Sequence, residues 1–205
     1  MLLQQILPRA GVNRRRANRF PLNPGARTVT ELAGWLSLPQ LLAFLIAAVA
    51  CVSDLRTRRL PNALTFGGAA AALVFSVAMG GPAALLGALG GWATGLAVFL
   101  PFFVLGGLGA GDVKLMACLG AWLGAADTVW VALYAAVAGG VMALAVAAGT
   151  GYLGAAVDNV YLLLAHFRVV GVRPHPELTL EQGKGPRLPY ALPITAGLML
   201  ALWLR

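Results

Sequence analysis

The chain is 205 residues long, 60% hydrophobic and only 11% charged, with a formal net charge of +8. A soluble domain carries roughly 25% charged residues, so a water-soluble enzyme or binding module is excluded at the outset. The positive charge would point to nucleic acid in a soluble protein. Here the basic residues flank apolar runs, where membrane orientation and anionic lipid account for them, and no nucleic-acid partner is expected.

Residues 1–33 are basic, with prolines at 8, 21 and 24, and read as a mostly disordered arm placed to touch lipid headgroups. Six apolar runs follow: Gly34–Ser53, Ala63–Gly81, Ala83–Gly106, Gly109–Ala126, Thr128–Tyr152 and Leu188–Leu204. Runs of about 18 or more apolar residues are read as membrane-spanning helices. At 1.5 Å per residue the first four reach roughly 27–36 Å, enough for the hydrocarbon core. The last reaches only about 25 Å and carries Pro189 and Pro193, so a kink or close packing against neighbours is expected. Leu, Ala, Val and Gly dominate, which favours helices over an outer-membrane barrel with its weaker alternating signal. The expected fold is therefore all-α: a polytopic integral membrane protein with about six transmembrane helices, occupying residues 34–205. Small residues in GGWATG (Gly90–Gly95) suit close helix contacts within or between chains.

Between the spans the connections are lopsided. Asp54–Asn62, Gly106–Lys114 and Gly154–Arg187 carry polar content, whereas the turns around Gly80–Pro82 and Asp127 are minimal. Alternation puts the three polar segments on one face. Within the longest, AAVDNVYLLLAHFRVV has the pattern of an amphipathic surface helix, and GVRPHPELTLEQGKGPR is rich in breakers and reads as loop. The positive-inside rule counts Lys and Arg near span ends. The arginines at 9 and 14–16 lie too far from the first span to count, which leaves the basic excess on the polar-segment face and makes that face cytoplasmic.

Two of the seven acidic residues stand apart. Asp54 and Asp112 each sit at the junction of a span with the polar-segment face, whereas the other five fall in loops, the arm or the surface helix. An ionisable group at membrane depth costs about 2.5–3.5 kcal/mol on insertion scales, so its retention points to function. Taken singly, each aspartate reads equally well as a helix cap or a solvated loop residue. As a pair on one face they form a known device. Close carboxylates cannot both ionise and share one proton; the charged member takes a proton from water while the protonated one polarises a scissile carbonyl. The helix dipole would put the charge on Asp112, which opens its span, and the proton on Asp54, which follows the end of the first. Arg56, Arg58 and Arg59 pull the other way. Gly109 and Gly111 would permit positive φ and a close approach by an extended substrate backbone. Lys114 reads either as a cation snorkelling to the interface or as a group facing substrate. Arg59 and residues 154–187 are candidates for substrate contact by position alone.

Three motifs taken together resemble the type IV prepilin peptidase family: DLRTRRLPN at 54–62, GAGDVKL at 109–115 and RLPYALPITAG at 187–197. The resemblance covers about residues 35–204, in order. It implies a GxGD-type aspartic protease of the bacterial inner membrane that cuts the basic leader of prepilins after a glycine on the cytoplasmic side. Asp54 and Asp112 would be the catalytic pair, and Gly109 and Gly111 the motif glycines. The partners implied are a membrane-inserted prepilin, the lipid bilayer and the pilus assembly machinery. Longer members add a cytoplasmic domain, often with zinc-binding cysteine pairs, and methylate the new N-terminus. This chain has only Cys51 and Cys118, both within predicted spans, so no metal, no cofactor and no methyltransferase activity are expected. It is most similar to the short, peptidase-only branch that serves Flp-type (tight adherence) pili. The main rival reading is an ion-coupled transporter using Asp54 and Asp112 as proton or cation sites. A non-catalytic component of a secretion complex is the other. Transporter sites lie near the midplane rather than at one face, and a passive component leaves DLRTRRLPN unexplained.

Overall fold

The computed structural model of the protein describes residues 37–171 and 188–204. The predicted N-terminal arm and residues 172–187 of the long polar segment lie outside the described residues. Among the described residues every regular element is a helix: α1 (Leu38–Thr57), α2 (Asn62–Val104), α3 (Ala110–Leu123), α4 (Ala125–Gly149), α5 (Leu153–Val170) and α6 (Ala191–Leu204). The expected all-α class holds, and α1, α2 and α4 are each long and apolar enough to cross a membrane.

At its start α1 is held by Ser37, whose backbone N–H donates to Gln40 Oε1 at 2.9 Å. Pro39 lies in the first turn, where its missing N–H has no intrahelical partner to lose. Ala43, Ala47, Ala50 and Asp54 are buried. That spacing of four, three and four is one helical stripe, and it ends on the carboxylate. The helix runs on to Thr57, so Asp54 occupies its last turn rather than following its end as the hydropathy suggested. Arg58 then closes α1 in the left-handed region (φ 52), with its N–H donating to the Asp54 carbonyl.

Two of the predicted spans are joined in α2. Its helical assignment runs unbroken over 43 residues, but Gly81 is non-helical (φ 63, ψ −155) and the contacts show that the chain reverses there. Going along residues 62–80, Asn62 meets Lys114, Gly68 accepts a hydrogen bond from Trp122 Nε1 at 3.0 Å, and Phe75 packs 5.6 Å from the Trp122 ring. That arm therefore runs parallel to α3. Along the second arm, Gly91 packs on Gly120 and Gly95 on Met116 and Ala117, the opposite direction. A glycine at positive φ followed by Pro82 is the turn, since proline is well placed in the first turn of the arm it opens.

Helix α3 sits at the centre. Leu115 to Ala121 are buried without a break, enclosed by α1, both arms of α2, and α4. Its 14 residues span roughly 21 Å, well short of the hydrocarbon core. Protein surrounds its middle, so a helix too short to span the hydrocarbon by itself is still shielded there. Helix α6 is equally short. Pro189 precedes it and Pro193 lies in its first turn, so neither removes an internal hydrogen bond. Gly197 of α6 brings that helix against the Val131 and Ala135 backbone of α4.

These crossings depend on absent side chains, because small residues let membrane helices approach closely. A Cβ at Gly91 would overlap the Gly120 carbonyl, whereas one at neighbouring Gly90 would meet nothing within 4 Å. Gly91→Val is expected to lower stability by at least about 1–3 kcal/mol through overpacking. Gly90→Ala should be neutral or slightly stabilising, as alanine is the better helix former. Thermal unfolding of the two variants in detergent checks the contrast.

Candidate active site

Four chain ends meet at one end of the bundle: the last turn of α1, and the beginnings of α2, α3 and α6. Asp54 is 8% exposed. Its Oδ2 accepts a hydrogen bond from the backbone N–H of Ala191 at 3.2 Å, across 137 residues of sequence. Ala191 is the first residue of α6, so this N–H is one of the donors that a helix start leaves without an internal partner. Asp54 thus lies at the C-terminal end of its own helix but against the N-terminal end of another. The negative end of α1 would put the proton on Asp54, but the positive end of α6 opposes it.

Asp112 is half-buried in the first turn of α3. Its Oδ2 accepts from the Gly109 N–H at 3.2 Å, folding the carboxylate back over the start of its own helix. Each aspartate therefore has one oxygen held by a backbone N–H at a different helix start. The two carboxylates lie within electrostatic reach of one another.

The motif glycines serve sterics rather than unusual backbone. Gly109 is extended (φ −78, ψ 148), Gly111 is inside α3, and neither has positive φ. A Cβ on Gly109 would stand 3.1 Å from Asp112 Oδ2, so the glycine makes room for the carboxylate. A Cβ on Gly111 would stand 3.1 Å from Leu60 Cβ and Cδ1. Gly111 thus faces the α1–α2 connection in this conformation.

The two remaining candidates lie away from the carboxylates' anchoring bonds. Lys114 Nζ donates to Asn62 Oδ1 at 3.1 Å and lies 5.2 Å from the Phe66 ring centroid. Asn62 and Phe66 are one turn apart on α2, so the lysine links the start of α3 to the start of α2. Arg59 is exposed on the connection; its carbonyl accepts from Ser53 Oγ at 2.9 Å and Thr57 Oγ1 at 3.3 Å. Sequence reasoning missed the partners: Ala191 for Asp54, Leu60 for Gly111 and Asn62 for Lys114. All three lie in or beside the three quoted motifs, which was the available signal, but nothing in a linear motif says which residue meets which.

A family model described as the type IV leader peptidase family matches residues 41–144, just over half of the chain, from α1 to most of α4. The chain belongs to that family. No curated protein and no solved structure matches it. Both aspartates and both motif glycines fall within the matched stretch, whereas the α6 start that holds Asp54 lies outside it. For this leader peptidase family member, removing the Asn62–Lys114 bond is expected to loosen the α2–α3 junction. A double-mutant cycle of Asn62→Ala and Lys114→Met, read by thermal unfolding in detergent, should give a coupling of about 0.5–1.5 kcal/mol. Strict additivity would mean that the bond contributes nothing.

Proposed function

We propose that the protein is a prepilin leader peptidase that uses Asp54 and Asp112 as an aspartic pair. The observation that carries this reading is the meeting of two carboxylates at one end of the bundle, each held through Oδ2 by the N–H of a helix start, in a chain of the leader peptidase family. Sharing one proton, the charged carboxylate removes a proton from water as the water attacks the peptide carbonyl. The protonated partner donates to the carbonyl oxygen, and the tetrahedral species collapses with protonation of the leaving amine. Anchoring by backbone donors serves this chemistry because it fixes the orientation of both carboxylates through neutral N–H groups. Lys114 and Arg59 then lie at the rim, in position to meet polar groups of the incoming segment.

The substrate in this reading is a membrane-inserted prepilin with a short basic leader, cut after a glycine. The site faces the cytoplasm of a bacterium from the inner membrane, supported by the basic residues that cluster near the span ends of that face. In this reading the pilin served is of the Flp type. The gathering of both acids at one end of the bundle favours hydrolysis over ion transport, whose sites lie near the midplane.

The test is cleavage of a prepilin-like peptide in detergent, carrying a basic leader, a Gly–Xaa junction and an apolar helix. Wild type should release the leader after glycine. Asp54→Asn and Asp112→Asn should each lower kcat by about 10²–10⁴-fold with little change in thermal unfolding. Cleavage that survives either substitution removes that aspartate from the mechanism. Activity should persist in a chelator; strong inhibition would count against a water activated by carboxylates alone.

A further inference from the structure

The aspartate mechanism leaves one partly buried phenol beside the site without a role. Tyr190 directly precedes Ala191, whose N–H holds Asp54, so its main chain is tied to that carboxylate. Its ring lies on Gly139 of α4. A Cβ built there would stand 3.0 Å from the hydroxyl oxygen, 3.3 Å from Cζ and 3.6 Å from Pro193 Cβ. Gly139 is buried within α4, where glycine is destabilising by about 1 kcal/mol relative to alanine. The missing methyl is the notch in which the phenol sits. Asp112 acts electrostatically on the same phenol, while Asp54 is held by the backbone N–H of the next residue.

Peptide hydrolysis creates negative charge on the carbonyl oxygen, and pre-oriented donors aimed at that oxygen are among the strongest contributors to rate. Lys114 is engaged by Asn62 on the α2 side, and Arg59 projects from an exposed connection. Tyr190 is neutral, rigid about two side-chain torsions and fixed at both ends. We infer that its hydroxyl, seated by Gly139, is a third functional group of the site and donates a hydrogen bond to the carbonyl oxygen of the bond being cut. This rests on the leader peptidase reading above. Tyr190 keeps its proton throughout, so the proton shared by the aspartates and the protons of the attacking water are accounted for as before. Gly139 is a positioning residue, acting through the phenol.

The experiment uses the full chain in detergent and the same prepilin-like peptide. Tyr190→Phe keeps the ring on Gly139 and deletes only the hydroxyl. It should lower kcat at least tenfold, and by up to about 10²–10³-fold as for loss of an oxyanion donor, with KM within twofold of wild type. Gly139→Ala should also lower kcat while thermal stability stays level or rises, because alanine favours the helix and only the phenol is displaced. A merely structural role would move stability and activity together. A Tyr190→Phe enzyme within threefold of wild type in kcat overturns the inference, as does an effect confined to KM or a loss of activity that tracks loss of folded protein. If wild type cleaves and both Asn variants are inactive while Tyr190→Phe is unaffected, this inference alone fails. If wild type does not cleave, the functional reading beneath it fails first.

Discussion

Carboxylates near a bilayer need donors, and in this protein the donors are the open starts of helices. Asp54 takes the first N–H of α6 and Asp112 the N–H of Gly109 ahead of α3. Such N–H groups have no partner inside their own helix and carry the positive end of its dipole. Two needs are met by one contact: the helix start is satisfied, and the anion is solvated by protein rather than water. The bond from Ala191 to Asp54 also joins the first and last described helices, so the bundle closes around the carboxylates.

Closing that bundle requires helices to approach more nearly than ordinary side chains allow. Gly91 against Gly120, Gly95 against Ala117 and Gly197 against Ala135 are backbone-on-backbone contacts, the means by which membrane helices associate where the hydrophobic effect between them is weak. The middle of the short α3, Leu115 to Ala121, is thereby buried without a break, and its start opens at one end of the bundle. Packing and site are linked through this helix: the glycine seams hold α3, and α3 presents Asp112. The same economy of side chains recurs at Gly139, whose bare face receives Tyr190.

Much of this was legible in the residues. Hydropathy located the helices to within a few positions, and the scarcity of acids singled out Asp54 and Asp112. Boundaries shifted where local capping outweighed hydropathy. Ser37, Gln40 and Pro39 start α1 later than the apolar run does, and the polar turn through Thr57 extends it past Asp54. Gly81 and Pro82 marked a reversal, although the helical assignment runs through it. The motif glycines do not use the positive φ that the sequence suggested. Their backbones are ordinary, and what they avoid is collision with Asp112 Oδ2 and Leu60.

By itself the sequence determined the membrane class, the order of spans, and which acids were worth a functional hypothesis. Each of those rests on a local property: the length of an apolar run, a charge where charge is expensive, a breaker between runs. Only the tertiary structure decided that Asp54 rests on the start of α6, that Lys114 is held by Asn62, and that Tyr190 lies in the notch of Gly139. Those pairs join residues about 50 or more positions apart. No periodicity or motif spacing encodes them, because they arise when separate helices choose their crossing depth and rotation, and that choice is made by the packing of all of them at once.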